Sequence, residues 1–194
     1  MSISAIILAA GQSKRMGRPK MLLPWGNTTV LGKVIETMQF AGVDDVLVIT
    51  GGARSEVEKI AARHNVRASH NENFENGEML TSIQFGLQRQ KPEAQATLIC
   101  LGDQPQVEEG CVRVVCKMFL AGKSRIIVPS YQMRRGHPWL VARELWGEIL
   151  EMRAPDSMRE FLNKHGNEIF YIETNSPNIL QDLDTPEDYL KYKP

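Results

Sequence analysis

The 194-residue sequence predicts an α/β fold, a doubly wound and mostly parallel sheet of the Rossmann-like type. Short apolar runs, typical of strands covered on both faces, alternate with segments whose apolar residues recur at helical spacing. Small, Gly-containing loops follow several of these runs, as expected where parallel strands end at a ligand site. No repeat or low-complexity linker interrupts the chain, so we expect a single domain spanning residues 1–194.

The first third of the chain shows the alternation most clearly. Residues 3–10 form an apolar run without polar alternation, which predicts a buried strand. A helix follows, its apolar residues recurring every three or four positions until a glycine ends it, and residues 46–50 predict the next strand. Ser55 and Glu58 match the S-x-x-E capping box and predict the start of a helix that runs to about His64.

The remaining elements are predicted by the same criteria. They are, in order, a short strand at 66–69, a helix around 80–87, a strand at 97–101, a helix around 112–119, strands at 126–128 and 139–142, and helices at 145–150 and from 155 onward. After residue 129 the alternation loosens, and we expect an antiparallel edge and covering helices there. Thr185 and Pro186 suit the N-cap and first position of a final helix.

The composition indicates a globular protein with no attraction to nucleic acid or membranes. Hydrophobic residues make up 42%, and 23 Lys and Arg balance 23 Asp and Glu. The apolar N-terminal run is too short to span a bilayer and no basic leader precedes it, so we expect a cytoplasmic protein. Cys100, Cys111 and Cys116 lack the spacing of a zinc or redox site, and we predict reduced core thiols.

A basic, Gly-containing loop follows the first predicted strand, within residues 8–20. Its small residues would let backbone amides approach a ligand, and cations that include Arg15 and Lys20 suit a triphosphate. Neither a Walker A loop nor a G-x-G-x-x-G fingerprint is present, which disfavours a P-loop NTPase or a dinucleotide-binding dehydrogenase. The alternative is a solvated basic turn.

Carboxylates in two other segments suggest a metal site. Asp103 follows a predicted buried strand, and Asp182 and Asp184 would face the same way if their segment is extended. Mg²⁺ usually takes one or two protein carboxylates beside phosphates and water, so Asp103 with Asp184 or Asp182 could form a site. Each segment also has a structural interpretation, as a turn or cap around Asp103 and as the start of a helix at 182–188.

Two further segments carry residues suited to substrate contact. Residues 76–82 open a helix with small polar groups, and residues 134–138 combine two arginines, a glycine and a histidine. Either segment could hold a sugar, a base or an acceptor. Alternatively, Ser82 is an ordinary first-turn helix residue and His137 a neutral histidine that orders a loop, and neither is a convincing general base.

Four motifs together resemble the MobA-like NTP transferase family, and the resemblance runs from end to end in the same order. The motifs are LAAGxSxRMGxxK at 8–20, LGDQP at 101–105, GHP at 136–138 and DLDTPED at 182–188. The branch that the chain resembles most is that of the molybdenum cofactor cytidylyltransferases. The resemblance therefore implies a nucleotidyltransferase fold and a nucleotidyltransferase enzyme.

The resemblance also implies roles for individual residues. It implies nucleotide contacts from Leu8, Ala9, Ala10, Gly11, Gly77 and Ser82, and a place on the acceptor side of the cleft for His137. Lys20, Arg15 and Asp103 are the implied catalytic residues, with Lys20 and Arg15 on the phosphates. Asp103 and Asp184 are the implied Mg²⁺ ligands. One departure is that Gly77-Glu78-Met79 stands where the family usually has Gly-Met.

The implied reaction moves CMP from CTP to molybdopterin that carries molybdenum and releases pyrophosphate. Relatives that use GTP usually have Ala-Gly-Gly where this chain has Ala9-Ala10-Gly11, and the extra methyl group would narrow the base pocket, which favours CTP. The alternatives are a nucleotidyltransferase that uses GTP or acts on a sugar or polyol phosphate, and a non-catalytic accessory protein that delivers the cofactor to a recipient molybdoenzyme.

Overall fold

The computed structural model describes residues 2–75 and 79–194. The strands in these ranges are β1 Ser2–Ala9, β2 Pro24–Trp25, β3 Thr28–Thr29, β4 Asp45–Thr50, β5 Arg67–His70, β6 Ala94–Leu101, β7 Ile126–Tyr131, β8 Arg134–Arg135, β9 Trp139–Ala142 and β10 Ile169–Glu173. The α-helices are α1 Val30–Phe40, α2 Arg54–Arg63, α3 Met79–Leu87, α4 Glu109–Leu120, α5 Trp146–Glu151, α6 Met158–Lys164 and α7 Pro186–Tyr192. None of the helices in this part of the chain combines the length and apolar character needed to cross a membrane.

The main sheet has the strand order β10-β7-β9-β6-β1-β4-β5, with β8 paired to β7. β1 runs parallel to β4 and β6, β5 is parallel to β4, and β10 is parallel to β7. β9 is antiparallel to both of its neighbours, β6 and β7. The predicted α/β fold with a mostly parallel sheet is therefore confirmed.

The position of the antiparallel strand differs from the expected sheet edge. β9 lies inside the sheet, and β10, for which the sequence predicted no strand, forms the edge. All four residues of β9 are buried, from Trp139 to Ala142. Such a continuous apolar run needs cover on both faces and partners on both sides, whereas an edge strand leaves backbone groups open to water.

The core has two layers, one on each face of the sheet. Along β1, Ala5 and Ile7 pack on one face, beneath α1, α2 and α4. Ile6 packs on the opposite face, against α3, α5 and α6. Burying one such large aliphatic side chain stabilises the fold by about 1.5–3 kcal/mol, which explains why residues on both faces of β1 are apolar from Ala5 to Ala9.

The predicted start of the last helix, α7, agrees with the structure, whereas the predicted start of α2 does not. Thr185 caps α7 by accepting a hydrogen bond from the Asp188 N–H at 3.2 Å, as predicted. The predicted capping box of α2 is wrong, because the helix begins at Arg54, one residue before Ser55, and has no side-chain cap. Glu58 accepts a hydrogen bond from Arg54 Nε at 2.8 Å instead of reaching back to a capping residue.

A small third core, which we call the anchoring cluster, ties the N-terminal loop to the C-terminal helix. Its buried members are Met16, Leu23, Trp25, Val30, Leu183 and Tyr189. The Tyr189 hydroxyl donates to the Pro24 carbonyl at 2.7 Å. Because this cluster joins residues from both ends of the chain, it places the polar residues beside Met16 and Leu183 next to each other.

Candidate active site

A cavity of about 370 Å³ lies beyond the carboxyl ends of β1 and β6, where open α/β sheets bind ligands. We call it the central cleft. Its lining residues are Leu8, Ala10, Gly11, Arg15, Lys20, Met21, Phe74, Met79, Ser82, Leu101, Asp103, Asp182 and Asp184. Three of the motifs recognised in the sequence thus meet at one site.

Close backbone contacts hold the loops of the cleft together. The Gly102 N–H donates to the Leu8 carbonyl at 3.0 Å, and the Leu183 N–H donates to the Asp103 carbonyl at 3.1 Å. A β-carbon at position 102 would lie 2.9 Å from the Leu8 oxygen and 3.1 Å from Met21 Cε. Glycine is therefore needed at 102 for the loop carrying Asp103 to lie against the end of β1.

Four charged side chains form an ion-pair network in the cleft. The Lys20 ammonium contacts Asp103 Oδ2 closely and lies 3.2 Å from Asp184 Oδ1. Arg15 Nη2 lies 2.9 Å from Asp184 Oδ2. The Lys20 and Asp103 side chains are only 12% and 14% exposed, whereas that of Arg15 is 71% exposed. The Lys20–Asp103 pair is therefore sheltered from solvent at the centre of the network, and Arg15 is an exposed cation at its rim.

The conformation of the basic loop positions Lys20. Ser13 adopts a left-handed backbone conformation with φ 52°, and its hydroxyl accepts a hydrogen bond from the Lys20 N–H at 3.1 Å. Burial disfavours the charge on Lys20, but the nearby Asp103 and Asp184 carboxylates outweigh it and raise the pKa of Lys20 above its ordinary value. Lys20 is therefore a fixed cation at neutral pH.

Asp182 lies in the same cleft in a different environment. Its Oδ1 accepts a hydrogen bond from Gln104 Nε2 at 2.6 Å. Burial and the neighbouring Asp103 charge raise the pKa of Asp182, against the opposing effect of the Gln104 hydrogen bond. Of the two candidates for a second metal carboxylate, Asp184 shares the Lys20 ammonium with Asp103, whereas Asp182 is held by an amide.

The opposite wall of the cleft carries Ser82 on α3. The Ser82 hydroxyl accepts a hydrogen bond from the buried Asn71 side-chain amide at 3.2 Å. Phe74 and Met79 line the same wall. The sequence did not single out Phe74 or Asn71, because a loop aromatic and an amide at the end of a short strand carry no motif. Gly77, predicted to contact the nucleoside, lies outside the described residues.

The structure does not bring His137 or Ala9 to the surface of the cleft. Ala9, the last residue of β1, is buried in the core on one face of the sheet. His137 is buried against Trp139, with ring centroids 4.0 Å apart, and its Nδ1 lies 3.2 Å from the Ile99 carbonyl. Since a carbonyl only accepts, Nδ1 carries the proton, and burial lowers the pKa of His137 to about 4. His137 is thus a buried, neutral residue in this structure, and its predicted contact with an acceptor stays a prediction.

The donor set of the cleft fits a divalent cation. The described ranges contain no group of three or more His, Cys, Asp or Glu side chains arranged for a metal. Asp103 and Asp184 nevertheless converge on one cation, the Lys20 ammonium. Two carboxylates with hard oxygen donors suit a metal such as Mg²⁺, which completes its shell with substrate phosphates and water.

The fold and the cleft together define a nucleotide-binding α/β protein with cations and carboxylates at one sheet edge. Residues 5–169 match the MobA-like NTP transferase domain, so the chain belongs to the MobA-like NTP transferase family. This membership makes it a nucleotidyltransferase.

Several relatives match over nearly the whole chain. The molybdenum cofactor cytidylyltransferase of Escherichia coli K12 is 28% identical, over 99% of this chain and 96% of that protein. The nicotine blue oxidoreductase of Paenarthrobacter nicotinovorans is 26% identical, over 95% of this chain and 93% of that protein. These relatives are named for different activities, so similarity over the whole chain does not by itself specify the substrate.

A solved relative supports the fold over the same length. The crystal structure of Rv0371c from Mycobacterium tuberculosis H37Rv is 31% identical and superposes with a TM-score of 0.84, over 98% of this chain and 96% of that chain. A second structure of Rv0371c, in complex with manganese, is 29% identical with a TM-score of 0.79, over 98% and 97% of the two chains.

Proposed function

We propose that this protein transfers CMP from CTP to a molybdopterin-type acceptor and releases pyrophosphate, with Mg²⁺ as its cofactor. The observation that carries the proposal is the meeting of Lys20, Asp103 and Asp184 beyond the carboxyl ends of β1 and β6. The similarity to the Escherichia coli cytidylyltransferase supports the base and the acceptor. The manganese complex of Rv0371c supports a divalent metal.

The charged residues would act mainly by position and charge. Nucleotidyl transfer is an in-line displacement at the α-phosphorus, in which catalysis depends on alignment and on neutralising negative charge. Lys20 and Arg15 would bind the triphosphate oxygens, Lys20 from a sheltered position and Arg15 from the rim. Asp103 and Asp184 would hold Mg²⁺, which supplies further positive charge to the transferring and leaving phosphates.

Lys20 would exchange partners when a nucleotide binds. Without a nucleotide its ammonium bridges Asp103 and Asp184 and reduces the repulsion of these carboxylates for each other and for a triphosphate. The four-carbon stem of lysine is flexible enough to turn the ammonium from the carboxylates to a phosphate. The same residue would then offset part of the negative charge of the empty cleft and bind substrate in the loaded one.

No side chain needs to act as a general base in this reaction. A phosphate monoester acceptor is already ionised at neutral pH, so the attacking oxygen carries no proton that must be removed. The only histidine among the predicted site residues, His137, is buried and hydrogen bonded to a backbone carbonyl. A phosphate acceptor therefore needs no proton-accepting side chain in the lining of the central cleft.

The preference for CTP rests on Ala10. Ala10 lines the cleft beside Gly11, and a glycine in its place would lack the methyl group. We propose that this methyl narrows the base pocket against a purine.

We also propose that residues 1–194 act as one nucleotidyltransferase domain in the cytoplasm. The protein would pass its product to a recipient molybdoenzyme and would bind neither nucleic acid nor membranes.

The proposal is tested by pyrophosphate release with Mg²⁺, each of the four common NTPs in turn, and molybdopterin with or without molybdenum as the acceptor. The variant Asp103→Asn keeps the size of the side chain and removes its charge. Asp44→Asn, at an exposed position on the turn before β4, is the matched control.

Release with CTP that depends on the acceptor, is lost in Asp103→Asn and is kept in Asp44→Asn would support the proposal. Preference for GTP would overturn the base assignment alone. Turnover only with sugar or polyol phosphates would overturn the acceptor. Binding of the pterin without turnover of any NTP would indicate an accessory protein that delivers the cofactor.

A further inference from the structure

One edge of the main sheet is open. β10 is the last strand at this edge and runs parallel to β7. The Thr174 N–H donates to the Ser130 carbonyl at 2.8 Å, so alternate residues from Phe170 to Thr174 direct their backbone groups toward β7. The backbone N–H and C=O groups of Tyr171 and Glu173 therefore point outward, where the described part of the chain places no further strand. Such groups can pair with a strand of another molecule.

An apolar groove lies beside this edge, and we call it the edge groove. It has a volume of about 360 Å³ and lies between the end of β10, the loop that follows and the first turns of α4. Cys111 and Val114 on α4 and Ile172 on β10 line it, and Val114 is 40% exposed. Side chains of a strand added to β10 would point alternately to the two faces of the sheet, so one set would lie on the face of this groove.

The Cys111 thiol belongs to the apolar part of the lining. Burial and the neighbouring Glu108 charge raise the pKa of Cys111 to about 11. The thiol is therefore neutral near pH 7 and acts as a small apolar group. The edge groove thus offers apolar side chains from both α4 and β10 to a ligand.

The charge of the edge groove is negative. Glu108 and Glu173 line it, and the described lining contains no lysine, arginine or histidine. Neither carboxylate has an ion-pair partner among the residues that the structure describes. Glu108 Oε1 accepts a hydrogen bond from the Asn178 amide at 3.0 Å, and Glu173 Oε1 accepts one from the Gln132 N–H at 3.1 Å. Both carboxylates are thus held in place and keep their charge.

This charge selects between possible occupants of the edge. A second copy of the chain, paired edge to edge, would bring the carboxylates of two grooves together, and like charges that face each other across strands are destabilising. A segment with lysine or arginine near its ends would meet Glu108 and Glu173 with opposite charge. A basic partner segment is therefore favoured over a second copy.

We propose that the open edge of β10 and the edge groove bind an extended, basic segment of a partner protein. The segment pairs with the backbone of Tyr171 and Glu173, places alternate apolar side chains against Val114 and Ile172, and carries a cation beside Glu108. The described linings of the edge groove and the central cleft have no residue in common. The partner can therefore bind whether or not the cleft is occupied, and the proposal does not depend on the proposed function.

The test uses peptides as probes of the full chain. The first probe is a fluorescein-labelled peptide of sequence KVSVSVK, whose fluorescence anisotropy reports binding in the absence of NTP and metal. EVSVSVE is the probe with reversed charge. Two further forms of KVSVSVK carry N-methyl groups on all valines or on all serines, and an N-methylated amide cannot donate a hydrogen bond.

Two variants change the edge groove, and each has a matched control. Val114→Lys places a cation in the groove, and Leu120→Lys makes the same change at an exposed position at the end of α4. Glu108→Lys reverses one carboxylate of the groove, and Glu56→Lys reverses an exposed carboxylate on α2. Thermal unfolding of each variant shows that it is folded at the temperature of the binding measurement.

We expect KVSVSVK to bind equally to wild type and to both control variants. Val114→Lys should bind it at least about tenfold more weakly, because an apolar contact is lost and like charges meet. Glu108→Lys should bind KVSVSVK about two- to fivefold more weakly and EVSVSVE more tightly by a similar factor, as for an exposed ion pair. Methylation of one alternate set of residues should abolish binding, and methylation of the other set should leave it nearly unchanged.

Four results would overturn the proposal. They are no saturable binding of KVSVSVK to wild type, equal binding to wild type and Val114→Lys, tighter binding of EVSVSVE than of KVSVSVK to wild type, and equal effects of the two methylation patterns. A wild-type dimer in sedimentation that is abolished in Val114→Lys but kept in Leu120→Lys would also overturn it, because a second copy would then occupy the edge.

Discussion

Lys20 occupies the position between Asp103 and Asp184 that a divalent cation would also prefer. Under the proposed function, a metal and the ammonium would therefore compete for the same oxygens until a triphosphate offers Lys20 another partner. This arrangement would couple the binding of metal to the binding of nucleotide.

The coupling predicts the behaviour of Lys20→Met. Without nucleotide, this variant should bind Mn²⁺ several-fold more tightly than wild type, since two adjacent carboxylates lose their internal cation. Its kcat should fall by about 10² or more, because one charge that stabilises the transition state is missing. Electron paramagnetic resonance of free Mn²⁺ measures the affinity, and Lys59→Met is the control. An unchanged Mn²⁺ affinity would contradict the competition.

The lowered pKa of His137 leads us to predict that the stability of the protein depends on pH. Burial lowers its pKa to about 4, whereas an unfolded histidine titrates near 6.5. The unfolded state therefore binds the additional proton between these values, so the stability contributed by neutral His137 is complete above pH of about 6.5 and is lost as the pH falls toward about 4. The full loss is on the order of 3 kcal/mol.

The measurement is urea unfolding of wild type and His137→Asn at pH 7 and pH 5. Asparagine can keep the hydrogen bond to the Ile99 carbonyl and does not titrate. The variant should show a smaller loss of unfolding free energy between the two pH values. An equal loss in both proteins would show that His137 is not responsible.

At the scale of elements, the anchoring cluster explains how a segment with little regular structure carries two site carboxylates. Leu183 is fully buried between Asp182 and Asp184, so packing of the one apolar residue turns both neighbours toward the cleft. The segment is a short extended stretch fixed by a hydrophobic side chain and by the hydrogen bond from the Leu183 N–H to the Asp103 carbonyl.

Leu183→Ala tests this role. Truncation should leave a cavity and lower the unfolding free energy by about 2–5 kcal/mol. The kcat of the variant should also fall under conditions in which the variant is folded, because Asp184 is then less firmly placed. Leu190→Ala, on the exposed face of α7, should change neither quantity by much. Denaturant unfolding and turnover measure the two effects, and normal kcat in folded Leu183→Ala would remove the positioning argument.

Gly102→Ala tests the contact between the two central loops. The added methyl would lie 2.9 Å from the Leu8 oxygen, so the loop of Asp103 must shift. We expect weaker nucleotide binding and lower stability. Gly110→Ala in α4 is the control, since its methyl would meet nothing within 4 Å and alanine favours a helix by about 0.5–1 kcal/mol. Equal CTP affinity in Gly102→Ala and wild type would contradict the requirement for glycine.

At the scale of the whole molecule, the central cleft joins both ends of the chain. Lys20 and Asp184 are 164 positions apart in sequence and are hydrogen bonded in the structure. A ligand that binds both therefore links the first loop to the last helix through the anchoring cluster. Binding at the cleft should consequently stabilise the complete fold and not only one loop.

Thermal unfolding in the presence of CTP tests this linkage. CTP with Mg²⁺ should raise the Tm of wild type, and CTP with a chelator should raise it much less, because Asp103 and Asp184 oppose an uncompensated triphosphate. Asp184→Asn should narrow the difference between the two conditions. If the chelator has no effect on the CTP-dependent shift, the metal does not contribute to nucleotide binding.

The sequence by itself determined the α/β class, most of the helices and central strands, and the segments that carry the charged site residues. These features depend on local periodicity and on residue types near strand ends. The structure alone decided that β9 lies inside the sheet, that β10 is its edge, and that α2 starts without a side-chain cap.

Tertiary structure also decided which motif residues meet. It brought Lys20, Asp103 and Asp184 to one point, added Phe74 and Met79 to the lining, and buried His137 against Trp139. The physical reason is that the pattern of apolar and polar residues along the chain shows which face each segment can bury. Which segments become neighbours is decided by the pairing of distant strands and the packing of side chains.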